Sequence, residues 1–508
     1  MDCKYISQMV KVNKTTFRQT VEHAFDCEIS LPDYYPDIHR ILKCRVNAKV
    51  AQRSSEGGQI NIDGVVCLNL IYADKDCGIR ALDVQTPFNK KLDFSAEDGC
   101  HSVQVECKTD YCNCRATTER TVDVHSAISM AINVVTCCEV AVVADVDESH
   151  VQMKRNVAPA SSPSGRADKY LLINDEVSLP DKCPAIRNIL RSDLDVIIND
   201  KKIVENRVVV KGEILMSVLY FGEETVDCEC FKESIPFSQI VEVQGINENC
   251  TCIVKGNITS AELMPRTGMS GDMRVVSASV KLLLSVDAFC ENEVPYITDA
   301  YSTKYDMSLG FNDVCFEKVA GSTTENIKLS FNSELPFNQD MQVVDMWCVP
   351  SPLDIASNDV AVVAKGSVQI CMIMRDKQGE PSYYERIFDY SKAFNIELPE
   401  HFYIKSSVTA KGCGAISKGD LLELMCELNL CLDVVEQTSC KVVSSVQLGN
   451  EHLRRCKPSS IVVYFAHQGD SVWDVARRYN TTPQAIASTN NLKDDIINGE
   501  ITLVIPSV

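Results

Sequence analysis

Twenty-five cysteines and eight histidines are the most reactive side chains of this 508-residue chain, and their spacing limits the chemistry open to it. No C-x-x-C occurs, so zinc knuckles and thioredoxin-like dithiols are absent. What recurs is C-x-C: Cys112 with Cys114, Cys228 with Cys230, Cys250 with Cys252. On a strand such pairs share one face, as small apolar side chains of a half-buried sheet do. Core or surface thiols are the expectation, with regulated cross-linking as the alternative. No histidine stands at ligand spacing from a cysteine or carboxylate. Phosphate loops and G-x-S-x-G elbows are missing too. Gly412-Cys413-Gly414 lacks a third glycine and reads as a turn, while Asp494-Asp495 reads as a solvated loop pair. No catalytic site, metal or cofactor is expected, and the chain reads as a non-enzyme.

Binding chemistry is concentrated in the final stretch, Val463 to Pro506. Val463 and Phe465 alternate with Tyr464 and Ala466, a short strand. Gly469 and Asp470 turn the chain, and Ser471 with Asp474 three residues on starts a helix. Val472, Val475, Ala476 and Tyr479 give that helix one apolar face. Thr482 and Pro483 start a second helix, which Asn490 and Asn491 end. Asn498-Gly499 turns into a last strand closed by Pro506. Trp473, one of two tryptophans, has two readings: a ring packed in the core, or an exposed aromatic anchor. Ile461 and Val462 carry the apolar run further upstream than the first strand needs, as a partner contact would.

This run resembles a LysM domain, whose pattern is a strand, G-D-[ST]-[LV]-W-x-[IL]-A, a second helix, N-N-L and a closing strand ending in I-P. Gly469, Asp470, Ser471, Val472, Trp473, Val475, Ala476, Asn490, Asn491, Leu492, Ile505 and Pro506 stand in those places. The resemblance implies a shallow groove for N-acetylglucosamine-containing glycan. Its walls would be Gly469 to Val472 and Ile496, Ile497, Asn498 and Gly499. His467-Gln468 departs from the Lys or Arg and Pro or Gly usual before Gly-Asp.

The elements holding this module repeat. SLPDYYPDIHRIL (30–42) returns as SLPDKCPAIRNIL (178–190), and Gly64-VVCLNLIYAD as Gly212-EILMSVLYFG at the same offset. Pro87-Phe88 returns as Pro236-Phe237 one residue later. A third copy is worn: Leu335-Pro336, then MQVVDMWCV (341–349), then Gly366-SVQICMIMRD. Strand 65–72 is apolar on both faces, as a doubly covered strand is. Long apolar runs from Thr121, Arg274 and Leu421 close the copies. The fold class expected is mainly β: tandem sandwich-like units at 1–150, 167–300 and 322–450, then a small βααβ module at 461–508. Lys154 to Arg166, rich in Pro, Ser and Ala, reads as a linker, and Glu451 to Ser460 as a tether.

The duplicated S-L-P-D-x-x-P-x-I segments, Ser30 to Ile38 and Ser178 to Ile186, resemble the SPOCS domain of sporulation proteins. Several such units followed by one LysM module is the arrangement of the SipL-like spore coat morphogenetic family. That resemblance implies an assembly adaptor in the mother-cell cytoplasm at the forespore surface. Its partners would be the stage IV sporulation protein A-like coat ATPase and other coat proteins, with LysM binding protein in place of glycan. A net charge of −20 argues against nucleic acid as a general partner. The first 17 residues lack the apolar core of a signal peptide, and no window reaches the 18 apolar residues of a membrane span. A cytosolic chain is expected from this, with free thiols by default. The competing reading is a peptidoglycan-binding surface protein acting through the LysM groove.

Overall fold

A computed structural model describes residues 4–96, 99–223, 228–268, 271–333, 341–357, 361–418, 421–452 and 461–506. The chain is mainly β, and the two helices among the described residues lie at the C-terminal end. Three strand sets follow one another. The first comprises β1 (Tyr5–Ser30), β2 (Arg40–Glu56), β3 (Gln59–Ala73), β4 (Ile79–Asp93), β5 (Cys100–Ala116) and β6 (Thr121–Val146). The second repeats it as β7 (Val151–Ser178), β8 (Ile186–Val204), β9 (Arg207–Gly222), β10 (Cys228–Glu242), β11 (Cys250–Arg266) and β12 (Val275–Ser302). The third has β13 (Tyr305–Asn332), β14 (Gln342–Pro350), β15 (Asp354–Ser357), β16 (Val362–Arg375), β17 (Pro381–Phe394), β18 (Phe402–Lys418) and β19 (Leu421–Glu451).

Each set stacks two antiparallel sheets. In the first the orders are β1-β6-β5 and β2-β3-β4, and the other sets follow the same plan, with β14 and β15 together replacing the strand equivalent to β2. Alternate residues of the two sheets enclose one core: Phe25, Ile60, Leu68, Tyr72, Val124 and Ile132 in the first set, for example. At its end the central strand also buries its other face. Ile71 and Ala73, Leu219 and Phe221, and Cys371 and Ile373 meet in a junction shared by all three sets. Double burial, expected over 65–72, holds only at the end of the strand, where Ile71 and Ala73 meet neighbouring copies; Val65, Cys67 and Asn69 on that face are half-buried. The long strands meet again through Val12, Val142, Ala158, Val294, Phe316 and Val442. Burying each of the Val, Leu, Ile and Phe side chains here is worth about 1.5–3 kcal/mol, so these junctions help to hold the sets together.

The repeated glycine has a specific task. Gly64 lies opposite Phe88, Gly212 opposite Phe237 and Gly366 opposite Tyr390. An added Cβ would lie 2.5 Å or less from a Phe88 ring atom and the Lys49 carbonyl, and 2.4 Å from the Ile197 carbonyl beside Phe237. The aromatic ring lies across the bare backbone, filling the gap a strand glycine leaves. The S-L-P-D-x-x-P segment is likewise clamped. Arg120 donates to the Pro32 and Tyr35 carbonyls and to Asp37. Arg274 donates to the Pro180 and Cys183 carbonyls. Tyr72 and Tyr220 donate to the Pro36 and Pro184 carbonyls.

Several expectations are corrected here. Lys154 to Arg166 is no linker but part of the first half of β7, paired with β12 from Arg166↔Asp287 to Lys154↔Asp299 with two register shifts on the way. The long β12 supplies a ladder partner, which local composition cannot show. Gly412-Cys413-Gly414 is not a turn; it lies in β18, just past a register shift at Ala410/Gly412. Cys250 and Cys290, directly opposite across β11 and β12, are joined as a disulfide, so the expectation of 25 free thiols fails. Leu335-Pro336 and most of the tether, Leu453 to Ser460, lie outside the described residues. Among the described residues no helix is long and apolar enough to cross a membrane.

Candidate functional site: the C-terminal module and its seat

The module consists of β20 (Val462–Ala466), α1 (Val472–Arg478), α2 (Pro483–Asn490) and β21 (Ile501–Ile505), with β20 antiparallel to β21. Its sequence signals act as written. Ser471 caps α1 by accepting from the Trp473 amide, and Thr482 caps α2 by accepting from the Ala485 amide. Asn491 closes α2 in the left-handed conformation at φ 56°. Asn490 pins that helix end to β21: its amide donates to the Val504 carbonyl and its carbonyl accepts from the Val504 amide, both at 2.8 Å. Asp470 accepts from the His467 amide and the Tyr464 hydroxyl, each at 3.0 Å, and these bonds hold its carboxyl below the usual range.

The two loops named as groove walls are brought together. The Gly469 amide donates to the Ile497 carbonyl and the Ile497 amide to the Asp470 carbonyl, both at 2.9 Å. Val472 donates to the Asp495 carbonyl, and Ser471 bridges Ile496. Ile497 and Val472 are buried in the module core, whereas Ile496 is exposed beside it. Gly469 has φ +95° and open space where a Cβ would be. Asn498 and Gly499 follow in the same loop before β21.

Trp473 follows the core reading: it is buried in the module's core cluster, where it also meets another part of the chain. Its indole N–H donates to Asp299 of β12 at 2.8 Å, and its ring meets Tyr301 edge-on at 5.0 Å. Arg477, one turn on, pairs with the same carboxylate at 2.9 Å. The Tyr301 hydroxyl donates to the Thr481 carbonyl at 2.7 Å, and burial pushes that phenol's pKa up. Tyr301 thereby joins Trp473, Val475 and Ala476 in the module's core.

Docking leaves the opposite side open. Ile461 is 80% exposed and Phe465 72%, with Val463 and Val504 also on the surface. Val463 and Val504 are direct neighbours across β20 and β21. Of the residues picked out beforehand, Ile461 therefore faces solvent, the two loops form one rim, and Trp473 is taken up internally. Asp299 and Tyr301 went unnoticed because nothing local marks them as a seat.

A second concave place lies where the second and third sets meet, a cavity of about 340 Å³ lined by Asp193, Lys232, Trp347, Cys348 and Cys413. Arg191, fully buried, pairs with Asp345 at 2.7 Å and lies 4.4 Å under Trp347. Cys413 donates to the Met346 carbonyl at 3.1 Å. A hydrogen bond with Cys348 lowers its thiol pKa against the opposing effect of burial, aided by the Lys232 ammonium. Among the described residues no group of three or more His, Cys, Asp or Glu is arranged to hold a metal.

Two kinds of family model match the chain. The SipL SPOCS domain matches residues 37–117 and 185–264, within the first and second strand sets, and the LysM domain matches residues 467–506. No curated protein and no solved structure matches. The chain thus carries SPOCS and LysM domains together, the pairing that its residues resemble. Both are non-catalytic domain families, and together they fit a sporulation coat-associated protein with a module of the glycan-binding type.

Proposed function

We propose that the protein is a non-enzymatic adaptor of endospore coat assembly, working in the mother-cell cytoplasm at the forespore surface. Its partner in this reading is a coat ATPase of the stage IV sporulation protein A type, along with other coat proteins. The observation that carries the reading is the solvent-facing apolar strip Ile461, Val463, Phe465 and Val504 on a module whose other side is occupied by β12. A soluble monomer rarely leaves so dense an apolar strip uncovered unless something binds there. Each strand set is taken as one domain, and together they present that strip in a fixed orientation.

The test is capture of the purified ATPase by the full chain. Ile461→Arg and Phe465→Arg are expected to weaken it by about 2 kcal/mol each, roughly thirtyfold. Both side chains are exposed, so the fold survives the change. Wild-type capture by both variants would remove this surface from the interface. The second reading, glycan binding, is favoured by the paired loops Gly469–Val472 and Ile496–Gly499. Pull-down with insoluble peptidoglycan tests it, and binding that is lost in Asn498→Trp but kept in Ile461→Arg would establish the groove instead.

A further inference from the structure

Strand β5 pairs with β6 from Cys100↔Cys137 to Ala116↔Val122, and β11 pairs with β12 from Cys250↔Cys290 to Arg266↔Val275. Both edge strands have 17 residues, and both ladders carry one register shift near the middle. Cys100 and Cys250 are each the first residue of the edge strand, and each faces a cysteine of the long central strand. The places are equivalent by duplication. In the second set the two sulfurs are bonded; in the first they are free thiols.

Directly opposed residues of an antiparallel pair project to the same face, with Cβ atoms about 4.5–5.5 Å apart, which is within disulfide reach after a small adjustment. The third set has Phe402 and Glu436 at this place, so the cysteine pair is particular to the first two copies. We propose that Cys100 and Cys137 form the site of a second cross-strand disulfide, closed by exchange with a low-molecular-weight disulfide.

Cys100 is exposed and Cys137 half-buried, which sets the order of events. The Cys100 thiol loses its proton to solvent, and its thiolate attacks one sulfur of the small disulfide, expelling one thiolate. Cys137, deprotonated in turn, attacks the Cys100 sulfur of the mixed disulfide and expels the second thiolate. Two protein thiols are oxidised and one external disulfide is reduced to two thiols, so the electrons balance. Burial raises the Cys137 thiol above its ordinary value, so it is the slower to react first, and its place directly opposite Cys100 is what lets it attack the mixed disulfide. The product would fasten the start of an edge strand to the centre of its sheet, as the Cys250–Cys290 bond already does. It stands independently of any coat partner.

The test uses the full chain, incubated at stepped ratios of oxidised to reduced glutathione, then acid-quenched, denatured, alkylated and mapped by mass spectrometry. The expected product is a Cys100–Cys137 linked peptide two hydrogens lighter than its components, appearing as the alkylated forms of both decline together. In Cys100→Ser the link disappears and Cys137 stays alkylated, while Cys250–Cys290 remains closed and the circular dichroism spectrum is unchanged. A chain unfolded before oxidation should lose the preference for this pairing. The proposal is overturned if Cys100 and Cys137 stay alkylatable at every ratio. It is equally overturned if each links to other cysteines as often as to the other.

Discussion

Asp145 of β6 and Asp299 of β12 occupy the same place in two copies of one fold. Each follows a single extra residue, Ala144 or Thr298, where the ladder to the next strand shifts register. Each also accepts the amide of the residue after it at 2.9 Å. From there they differ. Asp145 is held by Arg155 of the adjacent long strand at 2.6 Å, with both side chains about half exposed. Asp299 receives Trp473 and Arg477 of the C-terminal module and is 21% exposed. The residue two positions on decides which site can seat a module. Tyr301 offers a ring to Trp473 and a hydroxyl to Thr481, whereas Asp147 at the other site offers a charge. A carboxylate at the bulge is therefore a socket shared by the first two copies, whereas the third has Ser445 after its extra Ser444, and the aromatic beside Asp299 marks one copy as the seat.

The largest effect is expected of Tyr301→Ala. It removes the edge-on ring contact, the bond to Thr481 and a buried side chain of the shared core. Docking should weaken by about 3 kcal/mol, the low end for buried aromatic truncation. Hydrogen exchange on the full chain checks this: amides of Val472 to Thr481 should lose protection while those of β3 and β9 keep theirs. Unchanged protection would mean that Tyr301 is not the deciding residue.

Next in size is the contrast between the two carboxylates. Asp299→Ala strands the buried indole N–H of Trp473, a loss of about 1–3 kcal/mol. Asp145→Ala breaks a solvent-exposed ion pair, of about 0–1 kcal/mol, together with the bond from the following amide that both carboxylates accept. Paired denaturation curves measure both, and equal losses would make the two sockets energetically alike.

Much of this was legible in the residues, and what was not had one cause. The module could be read to its caps because Ser471, Thr482, Asn490 and Asn491 act within a few residues of themselves. The copies could be read because Gly64 and Gly212 each need an aromatic opposite, so Phe88 and Phe237 recur with them. Hidden were the features that depend on which strand lies alongside. Lys154 to Arg166 has a linker's composition, yet β12 extends far enough to pair with it. Cys250 gave no sign of Cys290, 40 residues away, because period-2 alternation names a face and never a partner. Trp473 was divided between core and anchor because its neighbours Asp299 and Tyr301 lie more than 170 residues upstream.

The smallest expected effect concerns pH at the socket that seats no module. The hydrogen bond from Arg155 is the largest influence on the Asp145 carboxyl and, with its charge and the Val146 amide, holds the pKa below the ordinary value. A carboxylate depressed in the folded state stabilises above its unfolded pKa, about 3.9. That contribution fades as pH falls through the lower folded value. The Asp145–Arg155 contact should therefore persist through neutral and mildly acidic solution and release only below about pH 4. Carbon-detected NMR titration of the Asp145 carboxyl should show a midpoint below 3.9 in the wild type. In Arg155→Gln that midpoint should move up toward the ordinary value, with no change in protection of the module amides. A midpoint that ignored the substitution would mean that the Val146 amide alone holds this carboxylate, and the two sockets would then differ in more than their neighbours.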